Sequence, residues 1–329
     1  MILLETGNRI LYEEVLSFFE NQAKKVDTVF ADFDGCKFNV KTNEDKSKLL
    51  VSISFKATAD LLKHGGSNLI KTIYGAMVQG SAEPGYDMTL AVPATFNGNK
   101  TELATSISLF KRNLVSAPFL MAFSAIEAKK TIDIISVDYR SEETFYIKTQ
   151  GDNVIVVFDI HFKDADDIIL SKIFLQSFVD ARKTLNNTPA ITFSQKDPPL
   201  ELKGVRGVRT GAAHGFVSFV LFPAHLKKPQ ETADLIQTFR DYLHYHIKCA
   251  KGYMHTSMRN RLMLSNVLSL VNSLNRIKIF SHTPPNQSCF SIAIPPKTIQ
   301  KKSNLLLVHI NNKQKNKIIS QPLLNSLIG

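Results

Sequence analysis

His244, His246, Cys249 and His255 place three imidazoles and a thiol in one short segment, side-chain types that bind zinc. His246 and Cys249, three residues apart, would share one face of a helix. Structural zinc, however, takes four ligands, mostly from tightly spaced pairs. Tyr242, Tyr245 and Tyr253 interleave with this set, so the segment reads as an aromatic packing seam whose imidazoles hydrogen-bond. Asp164, Asp166 and Asp167 could suggest a cation loop. They lack the alternating oxygen ligands and closing Glu of a calcium site, and acids are the ordinary preference in a first helical turn. The Gly204–Gly211 run (GVRGVRTG) lacks the terminal Lys-Ser/Thr of a phosphate loop and leads into a strand, so it reads as a mobile loop exposing Arg206 and Arg209. No Gly-x-Ser-x-Gly elbow, His-Glu-x-x-His pair or dinucleotide fingerprint occurs. The expectation is a chain without catalytic residues, metal or cofactor.

Charge is the stronger signal. The last acidic residue is Asp241, and twelve of the 40 Lys and Arg follow it, so the whole +11 surplus lies behind that point. Lys248, Lys251, Arg259 and Arg261, with Arg276 and Lys278 beyond, form a basic set without an intervening acid. That asymmetry points to an acidic partner surface. From charge alone, a freestanding nucleic-acid or anionic-lipid module is the competing reading; no nucleic-acid-binding motif supports it. Three cysteines, 36, 249 and 289, make no disulfide framework and fit a reduced cytosolic chain. Neither a basic leader nor about 18 consecutive apolar residues is found, so neither secretion nor membrane spanning is expected.

These residues need elements to hold them. Ile10, Leu11, Val15, Phe18 and Phe19 predict an amphipathic helix over 10–24. Strands are predicted at 28–33 and 48–55; in the second, Leu50, Ser52 and Ser54 alternate with Val51, Ile53 and Phe55, the pattern of a sheet with one covered face. Further strands are predicted at 135–140, 143–149, 153–162 and 216–222, the short turns among the first three favouring antiparallel neighbours. A helix over 165–183 carries an apolar stripe of Ile168, Ile169, Ile173, Phe174, Phe178 and Val179 that would cover the sheet. An internal echo relates Ser54–Leu62 to His161–Ile169, each where a strand turns into a helix that Thr58 or Asp164 could cap. From about Glu231, after Thr232 or another nearby polar residue caps the start, the positions Leu235, Phe239, Tyr242, His246, Cys249 and Tyr253, resumed past Gly252 by Leu262, Val267, Leu270, Val271 and Leu274, predict a helix of about 45 residues. A helix that long reads as a bridge or pairing element.

The segment Thr238–Cys249, continued by Ala250–Thr256, resembles the family of subunit 2 of the actin-related protein 2/3 complex. So do Met1–Leu4, Phe30–Gly35, Asp197–Leu202 and Phe219–Pro223, and the resemblance runs to about residue 276. It implies an α/β (α+β) fold of two similar domains, 1–129 and 130–228, with largely antiparallel sheets covered by helices, then a long helix over 229–278. It also implies a nonenzymatic subunit of a seven-subunit assembly, paired with subunit 4 and holding the two actin-related subunits. Contact with the actin mother filament during branch nucleation, at cortical patches or leading-edge projections of the cytoplasm, follows from the same resemblance. On it, Phe239, Tyr242, Tyr245, His246, Cys249, Tyr253 and Met254 are the subunit-interface and packing residues, and Lys248, Lys251, Arg259 and Arg261 the actin contacts. Two departures stand out. Ser257 replaces an arginine common in the family, removing a bidentate donor. Residues 279–329, rich in Asn and Lys, match nothing in the family beyond about 281, and are either a lineage-specific basic arm or an extension of the gene model.

Overall fold

The computed structural model describes residues 5–21, 25–32, 34–182 and 189–280, without the side chains at 177, 178, 181, 182, 267 and 270–280. The expectations for Met1–Leu4, Phe33, Phe178, Val267, Leu270, Val271, Leu274, Arg276, Lys278 and the tail from 281 lie outside the described residues. The chain divides into two compact units between Tyr245 and His246, and the first holds both sheets.

Helix α1 (Arg9–Glu20) starts behind Asn8, whose side chain accepts the Leu11 N–H at 3.1 Å, and buries Leu11, Val15, Phe18 and Phe19. Ile10, expected on that stripe, is exposed. Strands β1 (Asp27–Ala31), β2 (Lys37–Thr42), β3 (Lys48–Ser54) and β4 (Met88–Pro93) form an antiparallel sheet in sequence order. The alternation along β3 does not mean one covered face: Leu49, Leu50, Val51, Ser52 and Ile53 are all buried. Ser52 tolerates this because its hydroxyl bonds Thr89 Oγ1 on β4 at 2.9 Å, satisfying both buried groups. Helices α2 (Thr58–Leu61) and α3 (Ser67–Tyr74) connect β3 to β4. Thr58 does not cap α2; it is the helix's first residue, and its hydroxyl donates to Phe55 O at 2.7 Å. Helices α4 (Lys100–Ser108) and α5 (Phe110–Glu127) follow, α4 packing on α1.

The second sheet comprises β5 (Ile135–Arg140), β6 (Glu143–Gln150), β7 (Asn153–His161), β8 (Ala190–Lys196) and β9 (Gly211–Leu221), all antiparallel, in the order β5-β6-β7-β9-β8. One face packs on α5, where Phe119 stacks on Phe145 at 5.2 Å between centroids. On the other face Tyr146, Ile155, Val157 and Phe216 bury Leu202, with Val205 and Val208 packed alongside. Residues 197–210 thus lie across the sheet as a strap. Helix α6 (Ala165–Arg182) packs on β8, but not by the stripe expected. It buries Ile168, Ser171 and Leu175, leaving Ile169, Ile173 and Val179 exposed, so it meets the sheet's margin along a narrow line.

The α+β expectation, antiparallel sheets covered by helices and followed by a long helix, is borne out. The echo also has a structural counterpart. In its register the last residue of β3, Ser54, falls on the last residue of β7, His161, and the first of α2, Thr58, on the first of α6, Ala165. Phe55 and Phe162 are both buried, as are Leu61 and Ile168. In each half three antiparallel strands and a helical connection precede a strand that pairs back on the third, β4 directly in the first half and β9 after the added edge strand β8 in the second, and a short helix then precedes a long one: α4 before α5, and α7 (Pro223–Leu226) before α8 (Pro229–Phe280).

Candidate functional site

Helix α8 opens at Pro229, where the missing N–H costs nothing. Thr232 is inside the helix and not its cap; its hydroxyl donates to His225 O at 2.6 Å. The first four turns are seated by Ala233, Ile236, Phe239 and Leu243, all buried. Phe239 meets Phe219 edge-on at 4.6 Å and Phe158 at 5.6 Å, joining the aromatic group on the second sheet. Tyr242 is also buried. These two seam residues therefore pack within the chain. Ile236 and Leu243, absent from the aromatic seam, complete the same face at ordinary helical spacing.

Charge fixes this segment as firmly as packing. Arg112 of α5 holds Asp234 through two bonds of 2.5 and 2.7 Å. Arg240 forms a bidentate pair with Glu143 of β6. Asp241 is paired with Arg140, at the end of β5, which also grips Asp34 in the β1–β2 turn, and Lys111 bonds both Asp32 and Asp34. Three carboxylates here face two cations. Burial alone would push Asp34 upward, but Lys111 and Arg140 outweigh it and hold its pKa below the ordinary value. Burial and then the charge of Asp34 raise that of Asp241. With Glu231 on Lys228 at 2.9 Å, every acidic residue of α8 has a cation within the chain.

Beyond Tyr245 the helix belongs to the second compact unit. Tyr245 and His246 are half-buried, Lys248 and Cys249 exposed, and Lys251 and Ser257 intermediate. Tyr253, Met254, Met258, Leu262, Met263, Leu264 and Leu268 are large apolar side chains left exposed. Arg259 and Arg261 are exposed as well. At 100° per residue, Lys248, Lys251 and Arg259 fall within an arc of about 80°, with Arg261 on the far side. Met254, Met258 and Leu262 recur every fourth residue, and the row they make approaches that basic arc at Met258 and enters it at Leu262. The seam expected from the aromatic residues is thus two surfaces in sequence, an inner one that closes the chain's own core and an outer apolar stripe flanked by cations. Met258 and Leu262 join Met254 on the outer stripe by a spacing that the sequence displays plainly.

Among the described residues no group of three or more His, Cys, Asp or Glu could hold a metal ion. The exposed, mobile reading of the Gly204–Gly211 loop needs correction at one residue. Arg206 is exposed, but Arg209 donates to Thr144 Oγ1 on β6 at 2.8 Å.

Residues 51–279 match the family model described as Arp2/3 complex, 34 kD subunit p34-Arc. A Dictyostelium discoideum protein named actin-related protein 2/3 complex subunit 2 is 69% identical over 280 residues, covering 84% of this chain and 94% of its own length. A Schizosaccharomyces pombe protein of the same name is 38% identical over 307 residues, with the same shares covered.

Proposed function

Because the chain belongs to the family of the 34 kD subunit of the Arp2/3 complex, we propose that it serves in such a complex as a nonenzymatic structural and filament-binding subunit. In this role it supports assembly, attachment to the mother filament and branched actin nucleation. The observation that carries the reading is the outer half of α8. An apolar stripe of Met254, Met258 and Leu262 beside Lys248, Lys251 and Arg259 suits a second helix bearing acidic flanks. Subunit 4 is the partner proposed for the stripe. The two actin-related subunits and the mother filament are proposed for the remaining surface, within a seven-subunit assembly at cortical patches or leading-edge projections of the cytoplasm. Methionines suit such a seam because they adapt to the partner's shape, while Tyr253 and Tyr245 supply the aromatic anchors that dominate interface energies. Cations would steer and register the encounter with acidic surfaces, an effect that salt weakens.

Purification of the full-length chain with its companions tests this. Wild-type chain is expected to bring down subunit 4 and the actin-related subunits. Met258→Lys with Leu262→Lys is expected to lose subunit 4 while the chain's own fold, read by circular dichroism, persists. Recovery of the intact assembly with that double variant would refute the pairing surface.

A further inference from the structure

The strap side of the second sheet carries a polar row that the proposed function leaves unused. Asp159, on β7 and fully buried, faces a different basic group with each oxygen. Its Oδ1 lies 2.7 Å from Nδ1 of His214 on β9. Its Oδ2 has no hydrogen-bond partner among the described residues and faces Nη1 of Arg209 at 3.9 Å. Arg209 is the last charged residue of the 197–210 strap. Besides its bond to Thr144, its Nη2 stands 3.8 Å from Asp138 Oδ1, and the Thr144 hydroxyl donates to that same carboxylate at 2.5 Å. The strap is held by Leu202 in its apolar cluster at one end and by this guanidinium at the other. Gly204 and Gly207, with φ of +86° and +81°, turn the backbone between the two holds.

A second imidazole stands beside the first. His161 is the cross-strand partner of His214, their ring centroids are 5.3 Å apart, and its Nδ1 lies 3.3 Å from Glu142 Oε2. With both imidazoles neutral, Asp138, Glu142 and Asp159 set three carboxylates against Arg209. Each imidazole proton adds a positive charge beside those carboxylates and weakens the field that retains the guanidinium. Other charged groups nearby are committed. Glu143 binds Arg240 on the opposite face of β6, Lys148 donates to Glu201 O at 3.2 Å, and Asp60 accepts the Asp138 N–H at 3.3 Å. The Tyr146 phenol is kept protonated, its pKa raised by burial and then by Asp159.

We propose that the 197–210 strap is an acid-released latch, in which a proton on His214, seconded by one on His161, competes with Arg209 for Asp159. The guanidinium keeps its charge throughout. Closure therefore prevails where His214 is neutral and is lost once His214 carries a proton. Asp159 acts in the same direction. Burial raises its carboxyl above the ordinary value, and protonating it removes the anchor as well.

Amide hydrogen exchange on the full-length chain in its complex, at pH 7.5 and 5.5 and corrected for intrinsic rates, reads the latch. Protection of 203–210 is expected to fall roughly fivefold on acidification, the worth of one partly exposed ion pair. His214→Gln is expected to abolish that dependence, and Arg209→Gln to show weak protection at both pH values. Wild-type protection that does not change with pH, or a dependence surviving His214→Gln, overturns the latch. Should His214→Gln fail to fold, Arg209→Gln decides: a strap still responding to pH without its guanidinium excludes the competition.

Discussion

Arg240 of α8 and Glu143 of β6 are joined by two bonds, Nε to Oε2 at 2.9 Å and Nη2 to Oε1 at 2.5 Å, with both side chains nearly excluded from solvent. The Tyr139 hydroxyl donates to the same Oε2 at 2.9 Å. A buried charge pair of this kind adds less to stability than it removes when halved, because the remaining ion stays desolvated. Arg240→Met is expected to cost about 3–5 kcal/mol in urea unfolding. Pairing it with Glu143→Leu should recover most of that loss. A double variant as unstable as the single one would contradict this account.

The neighbouring cluster separates its two aspartates. Asp34 has a lowered pKa because Lys111 and Arg140 outweigh its burial, so it stabilises the fold above its unfolded value and ceases to do so as pH falls through the folded one. Asp241 has the opposite shift, from burial and the charge of Asp34, so its ionised form opposes folding at neutral pH. Asp34→Asn should lower stability at pH 7 by roughly 2 kcal/mol, a difference that shrinks in acid below the ordinary aspartate range. Asp241→Asn should leave the urea midpoint at pH 7 unchanged or higher. Equal losses for the two variants would rule this ordering out.

Thiol labelling distinguishes inner from outer surface. Cys36 is buried, and desolvation followed by the charge of Asp32 raises its pKa strongly, so its thiolate is scarce. Cys249 is exposed. Maleimide followed by peptide mapping is expected to modify Cys249 in the isolated chain within minutes and Cys36 only on unfolding. Within the assembled complex, protection of Cys249 would place a partner over this part of α8; undiminished labelling would place that partner elsewhere.

The basic arc makes a salt-dependent prediction. Lys248→Glu with Arg259→Glu is expected to weaken filament co-sedimentation of the complex about tenfold at low salt and to flatten its salt dependence. Ser257→Arg, adding a bidentate donor on the side of the stripe away from the arc, should tighten binding and steepen that dependence. Identical salt series for Ser257→Arg and the parent would eliminate a contact role for this position.

Local pattern made much of the fold readable. The limits expected for β5, β6 and β7 lie within a residue of those found, because each strand is rich in β-branched and aromatic residues and the three are joined by tight turns. Other elements carry no such mark. Strand β2 alternates over only six residues and offers just Phe38 and Val40 as apolar ones, while α5 is apolar over most of its circumference and contains Pro118. The ionic seating of α8 was beyond reach for a different reason: Arg112 and Asp234 lie 122 residues apart, and Glu143 and Arg240 lie 97, so no local spacing links them. Within the candidate site, tyrosine spacing drew the surface toward the aromatics, although Met254, Met258 and Leu262 repeat every fourth residue. Sequence periodicity locates a helix face; whether that face closes on its own chain or on another depends on contacts made far away.

The recurring order of three strands, connecting helix, returning strand and final helix, with β8 added in the second half, places α5 and α8 at equivalent points in chain order. In the first half that helix is enclosed: Asn113, Leu114, Ser116, Ala117, Phe119, Ala122 and Phe123 are all buried, and β5 follows soon after. In the second half only the first turns of α8 are enclosed, and Tyr253, Met254, Met258 and Leu262 stand exposed. A helix there can lengthen by whole turns without repacking anything upstream, and each added turn is free to vary as long as some other molecule accepts it. One architectural plan, used twice, thereby supplies an interior beam in its first use and an adaptable connector in its second.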